Sequence, residues 1–538
     1  MRTFFDLLRA LNPPRQGRTW AYVPYDQLSD QIGMLAEIPP EKAGIVLVES
    51  RWKANQRPYH KQKLALLLSS QRHFALEQAA RGVAIRYVTG EDDYASLIRR
   101  VAVELGSLQM MEPAERELRL LLEPLVQEGM LNLRSHDGWL TTEEDFRAAS
   151  SGKKSWRMDY FYRYIRRRYG WLMTPDGKPE GGKWSLDAEN RRPWKGEPPA
   201  PEPPRFDVDS VTAEVVRSIE DDFAHHPGQV QADRIPATLS DVETVWKWTM
   251  DQCMEHFGPY EDAMSTRSVQ LFHGRLSGLI NLHRLLPRRV LSDAMAMSLP
   301  LNSKEGFVRQ LGGWREYVRH VHRETDGFRH VPDGLSGRTR PSSGHSPGLQ
   351  ATLPLPPVFW EGASGLHCLD HVVKEVWEEG YSHHINRLMI LSNWATLLGI
   401  DPEAVSDWFW VAFEDAYDWV VEPNVLGMGT HATGDLMVTK PYVSGSAYVN
   451  KMSDYCASCS FHPKKTCPMT SLYWNFLDRN QEALASNPRM HIPMASLRRR
   501  STERKAEDAV ISGQVIQFLG RGESLTPESF TSHEDESE

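Results

Sequence analysis

The chain has few cysteines, no long apolar run and no excess of positive charge. Only five of its 538 residues are cysteine, four of them in one region, which indicates metal ligation in a reducing compartment and not a disulfide framework. No apolar run approaches the roughly 20 residues of a membrane span, and the N-terminus lacks a signal-peptide pattern. We therefore expect a cytoplasmic protein with no membrane partner. The formal net charge of −9 does not indicate a nucleic-acid partner, although local charge, not the sum, governs attraction to DNA.

Length and patterning predict more than one globular domain. A chain of 538 residues, 40% of them hydrophobic, exceeds what one hydrophobic core usually covers. Within residues 19–150, the runs 19–28, 44–50 and 82–90 have the apolar pattern of buried strands, and 59–80 has that of a helix. Strands that alternate with helices predict an α/β domain with a doubly wound parallel sheet.

Several polar residues stand where these strands are predicted to end. Doubly wound sheets bind ligands at the carboxyl ends of their strands, so these residues are candidates for a ligand cleft. Ordinary helix capping and surface charge explain them equally well. The candidates are Asp26, Gln27, Leu28 and Glu49 after the strands, and His60 and Lys63 at the start of the helix.

Residues 151–239 are interpreted as a connection between domains. They begin with an aromatic and basic helix that could meet phosphates and stack on bases, although its aromatic residues also fall on one face of an ordinary amphipathic helix. A loop rich in Gly, Asn and Asp (179–193) and a proline-dense, extended linker (195–207) follow. The arginines of the basic helix are Arg163, Arg166, Arg167 and Arg168.

The pattern from residue 240 to 490 is helical almost throughout and predicts an all-α domain. A stretch rich in Gly, Pro and Ser at 326–357 interrupts it and is expected to be irregular. Residues 491–538, basic at 497–505 and then acidic, predict a disordered tail. Helices are expected near 210–223, 240–257, 268–283, 287–298, 303–323, 369–380, 382–398, 402–412 and 470–486.

Four cysteines between residues 359 and 477 have metal-ligand spacing. Two form a CxxC motif, a third is followed by proline, and the fourth lies far upstream. A Cys-Pro ending is typical of iron–sulfur ligand runs, but zinc competes, held by all four cysteines or by three of them with His462 or His367. Spacing alone leaves both metals open. The fifth cysteine, Cys253, lies in an apolar helical pattern and is interpreted as a core residue. The four are Cys368, Cys456, Cys459 and Cys467.

Two segments offer groups for a phosphate-bearing cofactor. The run LFHGRLS at 271–277 combines a glycine for close approach with a cation and a hydroxyl. Glu305 and Arg309 share a helical face one turn apart, as do Gln310 and Trp314. A salt bridge between helices explains the Glu305 and Arg309 pair equally well.

Long runs along the chain carry a family resemblance. They include HHINRLMILSNW (383–394), EDAYDWVVEPN (414–424) and YVNKMSDYCASC (448–459), with LFHGRLSGLINLHRLLP (271–287) and EGFVRQLGGWREYVR (305–319) upstream. In this order they resemble the iron–sulfur bacterial photolyases and cryptochromes, flavoproteins related to the (6-4) photolyases. The resemblance covers most of the chain and implies the photolyase/cryptochrome fold, in which an α/β N-terminal domain precedes a large all-α FAD-binding domain.

The resemblance implies a light-driven enzyme that acts on UV-damaged DNA. Light-excited reduced FAD would give an electron to a flipped-out (6-4) pyrimidine photoproduct and receive it back after bond rearrangement. A monomer in the bacterial cytoplasm, associated with the nucleoid, is expected. The alternative is a blue-light photoreceptor that uses the same FAD without repair, and a repair-dead structural relative is a third hypothesis.

Individual residues take roles only within this resemblance. His384 matches the catalytic histidine, whose imidazole can donate or accept a proton near neutrality, and Tyr442 matches a lesion-pocket tyrosine. The four clustered cysteines would hold a [4Fe-4S] cluster, and the six candidates at the strand ends would hold a 6,7-dimethyl-8-ribityllumazine antenna. The expected FAD contacts are His273, Gly274, Arg275, Leu276, Ser277, Glu305, Arg309, Trp314, Asn393 and Asp415.

Aromatic residues of the family's electron-transfer route are matched in part. Trp360 and Trp408 align with its redox tryptophans, and Trp410 and Trp419 are spare candidates. The usual redox tyrosine is Phe409 here, and phenylalanine is not oxidised comparably. The change predicts an altered route of flavin photoreduction.

Two further departures lie close to the expected flavin. The family's acidic residue near flavin N5 is Val421 here, with Glu422 displaced by one position. The run THATGD (430–435) also differs from the usual FADGG. These changes affect the expected protonation of N5 and suit either an altered repair enzyme or a signalling cryptochrome.

Overall fold

The N-terminal part of the molecule contains a parallel β-sheet. The computed structural model describes residues 2–340, 349–485 and 487–530, and within them the strands form one five-stranded sheet of order β3-β2-β1-β4-β5. Every neighbouring pair of strands is parallel. The strands are β1 (Thr19–Tyr22), β2 (Ala43–Ser50), β3 (Ala84–Gly90), β4 (Leu108–Met111) and β5 (Leu131–Arg134).

Long helices make the crossovers of this sheet. Lys61–Ala80 connects β2 to β3, Tyr94–Leu105 connects β3 to β4, and Arg116–Gln127 connects β4 to β5. The chain builds outward from β1 to β3 and then returns to place β4 on the other side of β1. This reversal is the switch point at which doubly wound sheets bind ligands.

The two faces of the sheet pack against different cores. Trp20 and Val46 face the core that the sheet shares with the helical half of the chain. Ala21 and Ile45 face the opposite core, because successive residues of a strand point to opposite sides. The helix Phe4–Leu11, which precedes the predicted start of the domain at residue 19, contributes buried residues to this second core.

The rest of the chain is helical, as predicted. The predicted combination of an α/β domain with a large all-α domain is therefore confirmed. The principal helices are Glu143–Ser150, Met158–Tyr169, Ser210–Asp222, Leu239–Trp248, Pro287–Ala296, Leu301–Val308, Glu316–Glu324, His367–Glu379, Pro402–Ala412, Met469–Arg479, His491–Arg498 and Thr502–Gly520; shorter ones are Ser277–Asn281, Asn393–Leu398, Asp418–Glu422 and Ser446–Met452.

Several of these helices contain π-helical turns. Such turns are rare and occur frequently at functional sites, because the widened turn re-aims the side chains it carries. Two of them present buried or half-buried arginines, Arg309 and Arg387, to the same region of the helical domain. The π-helical segments are Thr249–Cys253, Arg309–Arg315, Arg387–Ser392 and Pro423–Gly429.

The basic helix Met158–Tyr169 is amphipathic. Phe161 and Ile165 are buried in the core, which agrees with the ordinary interpretation of its pattern. Arg166 is also buried, and its guanidinium donates to the carbonyls of Trp171 at 3.0 Å and Leu172 at 2.6 Å. Arg166 therefore stabilises the following loop and is not available to a phosphate.

Two secondary-structure predictions were wrong. The helix expected at 268–283 is confined to Ser277–Asn281, since Leu271 and Arg275 adopt positive φ angles that break any helix there. The tail predicted to be disordered forms the helices His491–Arg498 and Thr502–Gly520. The second helix inserts Val515 and Leu519 into the core, a tertiary contact that its polar composition conceals.

Parts of two predicted irregular segments fall outside the described residues. They are 341–348 in the stretch 326–357, and 531–538 at the acidic end of the chain. Across the described part of the chain, no helix combines the length and apolar character needed to cross a membrane.

Two Gly→Ala substitutions should change the free energy of unfolding in opposite directions, because Gly44 is closely packed between β1 and β2 and Gly513 is not. A methyl group on Gly44 would lie 2.7 Å from the ring of its register partner Trp20, so we expect Gly44→Ala to lower the free energy of unfolding by about 1–3 kcal/mol. Gly513 is exposed within a helix with open space around it, so Gly513→Ala should raise that energy by about 0.5–1 kcal/mol. Urea unfolding measures both, and a neutral Gly44→Ala would contradict the packing described.

Candidate functional site

Three histidines meet in the centre of the helical domain. The rings of His273 and His383 are stacked 4.7 Å apart and nearly parallel, and the ring of His384 lies 5.2 Å from His273. Nitrogens of the three rings lie within 4.8 Å of one another. An ion binds an imidazole in the plane of its ring, and two parallel stacked rings do not share a plane. The arrangement therefore does not favour a shared metal ion.

The buried nitrogens of this cluster lack partners within the described residues. Neither Nδ1 nor Nε2 of His383 has a hydrogen bond, and Nε2 of His273 has none, although both side chains are buried. A buried polar group left unsatisfied costs about 1–3 kcal/mol. Such a concentration of unsatisfied groups marks the cluster as a candidate site for a polar ligand.

A buried ion pair forms one wall of this region. The guanidinium of Arg387 donates to both carboxylate oxygens of Asp415 at 2.9 and 3.0 Å. Burial alone would raise the pKa of Asp415, but the charge and hydrogen bonds of Arg387 and a hydrogen bond from Ser277 outweigh it and hold the pKa below its usual value. Asp415 is therefore a carboxylate at neutral pH. Both predicted residues, Ser277 and Asp415, lie on this wall.

A second buried network surrounds Arg309. Its guanidinium lies 3.1 Å from Glu261 and 3.4 Å from Glu305, and Gln310 also donates to Glu261, at 2.6 Å. Glu305 in turn accepts the backbone N–H of Leu186 at 2.9 Å. The sequence-based alternative of a salt bridge between Glu305 and Arg309 is present, and Glu261 is an additional partner that the spacing did not reveal.

The loop before the helix Ser277–Asn281 lies against the π turn at Thr249. A Cβ atom on Gly274 would lie 2.4 Å from the Thr249 side chain, so only glycine permits this approach. Arg275 is paired with Glu379 at 2.7 Å and lies over the ring of Tyr381, so its charge is already compensated within the protein. Leu276 is a core residue.

Two other predicted cofactor contacts have structural partners. The amide of Asn393 donates to the carbonyl of Ser444 and accepts its N–H, both at 3.0 Å. This pairing uses the amide of Asn393 on both sides, so the structure gives this residue a packing role. Trp314 is half-buried and lies edge-on to Tyr317 at 5.9 Å.

The open side of the region carries His384 and several polar groups. The side chain of His384 is 40% exposed, and its Nε2 lies 3.8 Å from a carboxylate oxygen of Asp262. Burial, and after it the charge of Asp187, raises the pKa of Tyr442. Burial, and after it the charge of Asp262, raises the pKa of Tyr448. Both phenols are therefore protonated hydrogen-bond donors at neutral pH.

Sequence reasoning did not find Asp262 or Tyr448. Tyr448 lies inside YVNKMSDYCASC, one of the runs that carried the resemblance, and Asp262 lies in FGPYEDAM (257–264). Their relation to His384 arises from segments more than 60 residues apart in the chain, so no local spacing signals it.

Three of the clustered cysteines lie near the fourth, Cys368. Burial raises the pKa of the Cys368 thiol, and the nearby thiols of Cys467, Cys456 and Cys459 raise it further. The five cysteines, all within the described residues, form no disulfide. In the same part of the chain, no three ligand atoms that include a cysteine sulfur lie within 4.8 Å of one another. Cys253 is buried in the core, as predicted.

A separate large cleft opens at the carboxyl ends of the strands, and the space of about 720 Å³ between its walls includes open solvent. Its lining includes Glu49 and Lys63 from the predicted set, with Trp410 and Tyr417 from the helical domain. The Lys63 ammonium donates to the carbonyls of Trp410 at 3.0 Å and Ala416 at 2.5 Å, and burial lowers its pKa to about 7.

The other four predicted cleft residues lie elsewhere. β1 ends at Tyr22 and not at residue 28, so Tyr25 faces the cleft while Asp26, Gln27 and Leu28 are buried against neighbouring segments. Burial, followed by the charge of Glu115, raises the pKa of Asp26 to about 8. His60 caps the helix Lys61–Ala80 and contacts the carbonyl of Trp377 at 3.1 Å.

The amino-acid sequence of this chain is similar to those of known proteins. A family model described as deoxyribodipyrimidine photo-lyase-related protein matches residues 21–235. The (6-4) photolyase of Agrobacterium fabrum is 35% identical over 496 residues, which cover 89% of this chain and 95% of that protein. The chain belongs to the photolyase family.

Two solved structures agree with the fold of this chain. A class III photolyase from Agrobacterium tumefaciens has a TM-score of 0.54 at 14% identity, with 93% of this chain and 99% of that chain covered. A cryptochrome from Synechocystis sp. PCC6803 has a TM-score of 0.50 at 15% identity, with 78% and 83% covered. The predicted photolyase/cryptochrome fold is confirmed, and family membership implies a flavin cofactor.

The four tryptophans that are candidates for electron transfer differ in position and exposure. Trp408 is buried and contacts Phe409 and Phe413, at 5.3 and 6.0 Å between ring centroids. Trp360 is 42% exposed. The spare candidates lie elsewhere, since Trp410 lines the large cleft and Trp419 packs on Trp139.

Glu422, the acidic residue displaced by one position from the family pattern, is held by three basic side chains. Glu422 is bound by His322 at 3.0 Å, Arg340 at 2.6 Å and Arg329 at 3.4 Å. Burial opposes its ionisation, but the hydrogen bond and charge of His322 and the charges of the two arginines hold its pKa at about 2. Glu422 therefore fastens the irregular stretch that begins at residue 326.

This ion network predicts a pH-dependent contribution of Glu422 to stability. The folded-state pKa is depressed from 4.5 to about 2, so the contribution is present above pH 4.5 and is lost as the pH falls towards 2. Glu422→Gln should lower the free energy of unfolding by about 3 kcal/mol at pH 7 and by progressively less below pH 4.5. Urea unfolding at several pH values measures this.

The matched control for Glu422→Gln is Glu482→Gln, at an exposed position, which should change stability by no more than about 0.5 kcal/mol. A loss for Glu422→Gln that is equal at pH 7 and pH 3 would show that the carboxylate charge is not the cause.

Proposed function

We propose that the protein is a light-driven DNA photolyase that repairs (6-4) pyrimidine photoproducts. The observation that carries the proposal is that His384 lies beside Asp262, whose charge also reaches Tyr442, next to buried histidine nitrogens that lack partners among the described residues. The similarity to a protein named (6-4) photolyase over most of both chains supports it. Its substrate is UV-damaged DNA, so the protein would associate with the bacterial nucleoid. We expect it to act as a monomer.

We place the flavin between the Arg387–Asp415 pair and the network around Arg309. When bound, FAD supplies light absorption and one-electron transfer to the lesion. Arg387 and Asp415 would orient its ring, and His383 offers two unsatisfied nitrogens. The stacked histidines and surrounding core exclude water from this side of the site.

The open side is suited to receive a base that has left the duplex. A (6-4) lesion must leave the stack before it can reach a buried cofactor. His384 is exposed enough to meet it and lies 3.8 Å from the carboxylate of Asp262. The protonated phenols of Tyr442 and Tyr448 can donate hydrogen bonds to the lesion. His384 would act as the general acid or base for the adduct.

We propose that the four cysteines hold a [4Fe-4S] cluster. Tetrahedral zinc with sulfur ligands at about 2.3 Å brings those sulfurs within about 3.8 Å of one another. The wider spacing of the cysteines described above does not suit one zinc ion, with or without His462 or His367. It suits a cluster in which each thiolate binds a different iron. The cluster would join the segment around Cys368 to the C-terminal helices.

The large cleft is our candidate for the lumazine antenna. It lies where doubly wound sheets bind ligands, and Trp410, Tyr25 and Tyr417 offer aromatic surface to a planar chromophore. The segment 410–417 lines the cleft on one side and supplies Asp415 to the flavin wall on the other, so energy could pass over a short distance. Glu49 and Lys63 are the predicted antenna residues that this proposal retains.

Replacement of His384 tests the enzymatic role directly. In the purified protein with reduced FAD under blue light, His384→Asn should repair an oligonucleotide with one (6-4) lesion about 10²–10⁴ times more slowly than the original protein. FAD content should not change, because the exposed ring does not hold the cofactor. Repair is followed by the loss of lesion-containing oligonucleotide on a denaturing chromatogram.

The matched control is His330→Asn, at an exposed histidine outside the site, which should repair at the original rate. No repair by the original protein, despite a full complement of reduced FAD, would contradict the proposal and favour a photoreceptor. Unchanged repair by His384→Asn would remove this residue from the mechanism.

Metal analysis of cysteine variants tests the cluster. Cys456→Ser should lose the iron and the broad visible absorption of the cluster, because a ligand is missing. Cys253→Ser, in the core and outside the cluster, should keep its iron. Zinc in place of iron in protein purified without oxygen would contradict the cluster proposal while leaving the proposed repair activity untouched.

A further inference from the structure

A third tryptophan lies between the two that resemble the family's redox pair. The rings of Trp360 and Trp377 are stacked, with centroids 5.3 Å apart and planes 14° apart. The ring of Trp377 meets that of Trp408 edge-on at 5.8 Å. Among the described residues, Trp360 and Trp408 make no ring contact with each other, so Trp377 is the aromatic ring that connects them.

The exposure of the three rings follows their order. Trp408 is 1% exposed, Trp377 is half-buried and Trp360 is 42% exposed. At the inner end, Trp408 contacts Phe413, and the Arg387 guanidinium lies 4.0 Å from the centre of that ring. The row of indoles therefore runs from the flavin wall to the solvent.

We infer that Trp377 relays electrons from Trp360 to Trp408 during photoreduction of the flavin, in place of an oxidisable residue at position 409. The inference rests on the flavin of the proposed function but not on repair. The transfer of an electron between rings slows steeply with their separation, and the phenyl ring of Phe409 is too difficult to oxidise to serve as a step. Trp377 instead provides two ring contacts, with centroids 5.3 Å from Trp360 and 5.8 Å from Trp408.

The electrons balance along this row. Trp408 gives one electron to the excited flavin and becomes a cation radical. Trp377 reduces Trp408, Trp360 reduces Trp377, and a thiol in solution reduces exposed Trp360. No proton leaves the inner indoles, because the Nε1–H groups of Trp377 and Trp408 both donate to the carbonyl of Phe359 at 2.9 Å, and a backbone carbonyl is a very weak base.

The surroundings of Trp377 favour a transient positive charge. His60 stacks on its ring with centroids 5.8 Å apart. Burial lowers the pKa of His60 to about 4, so its imidazole is neutral at pH 7 and does not repel an indole cation. The shared carbonyl of Phe359 presents its negative end to both inner indoles and stabilises the charge on either ring.

The test compares tryptophan variants of the FAD-loaded, full-length protein. Blue light with excess dithiothreitol drives reduction of the oxidised flavin, which absorbance follows, and each rate is divided by the bound FAD. The photoreduction rate of Trp377→Phe should be severalfold lower than that of the original protein and similar to that of Trp360→Phe. Trp377→Tyr, which keeps an oxidisable ring, should recover part of the loss. The control Trp474→Phe, whose ring meets Tyr473 and Arg500 instead, should match the original protein.

Two further measurements separate a relay from a structural role. Transient absorption should show that the tryptophan radical of Trp377→Phe is lost early, because the reduced flavin gives the electron back, while the radical of the original protein survives. Illumination in air without thiol should let dissolved dioxygen add oxygen to the Trp360 radical of the original protein but not of Trp377→Phe, as peptide mass spectrometry would show. Should the phenylalanine variant not fold, Trp377→Leu replaces it in each measurement.

Photoreduction of Trp377→Phe at the original rate, while Trp360→Phe is slow, would overturn the inference. Reduction with dithionite bypasses the row, so Trp377→Phe reduced in this way should repair as the original protein does. Absence of repair in every dithionite-reduced protein would contradict the proposed function, whereas the photoreduction result would still decide the role of Trp377.

Discussion

The buried ion pair of Arg387 and Asp415 holds together the parts of the helical domain that matter for function. Arg387 lies on a π turn directly after His383 and His384, and Asp415 lies on the segment that follows the helix Pro402–Ala412. Removal of one partner from a buried pair costs about 3–5 kcal/mol, because the other charge is left in a medium of low polarity. The pair therefore fixes the histidines relative to the segment that bears Asp415.

The same segment joins the flavin site to the large cleft. Asp415 faces Arg387, while the carbonyl of its neighbour Ala416 accepts the Lys63 ammonium and Tyr417 lines the cleft. Because these residues are consecutive, the separation of the two sites is set by a few peptide units and not by loose domain packing. Lys63 also ties this segment to the first long helix of the α/β domain. An antenna and a flavin held in this way would keep a constant distance as the protein moves.

Local pattern was enough to predict the sheet and most helices, and to single out four cysteines as candidate metal ligands. The strand around Ile45 is a nearly continuous apolar run, typical of a buried parallel strand, and the cysteines carry their own spacing. The prediction of a helix around Leu271 was wrong, because Leu271 and Arg275 adopt positive φ angles where Gly274 packs closely on Thr249. No local pattern shows this packing. The prediction of a disordered C-terminal tail was wrong for a similar reason. The composition of its last helix is polar, and only packing against residues distant in sequence makes Val515 a core residue.

The site itself could be predicted only where a motif carried it. His384 and Asp415 lie in long runs that resemble a known family, whereas Asp262 and Trp377 acquire their meaning from residues distant in sequence. Asn393 also lies in a matching run, and its amide is engaged by the backbone of Ser444, so the match alone does not give its contacts. A motif match therefore locates a site more reliably than it assigns a contact.

The departures from the family pattern acquire a physical interpretation in the structure. Phe409 stacks on Phe413 and meets Trp408 edge-on, with centroids 5.3 Å apart in each case, so it can hold the inner indole in place without being oxidised itself. Glu422 is committed to His322 and two arginines, and a carboxylate with a pKa near 2 cannot deliver a proton at neutral pH. With Val421 in the position of the family's acid, proton delivery would fall to groups at the open side of the site. Electron supply and proton supply would then enter from different sides of the flavin, through the tryptophan row and past His384, so that a change in one need not disturb the other.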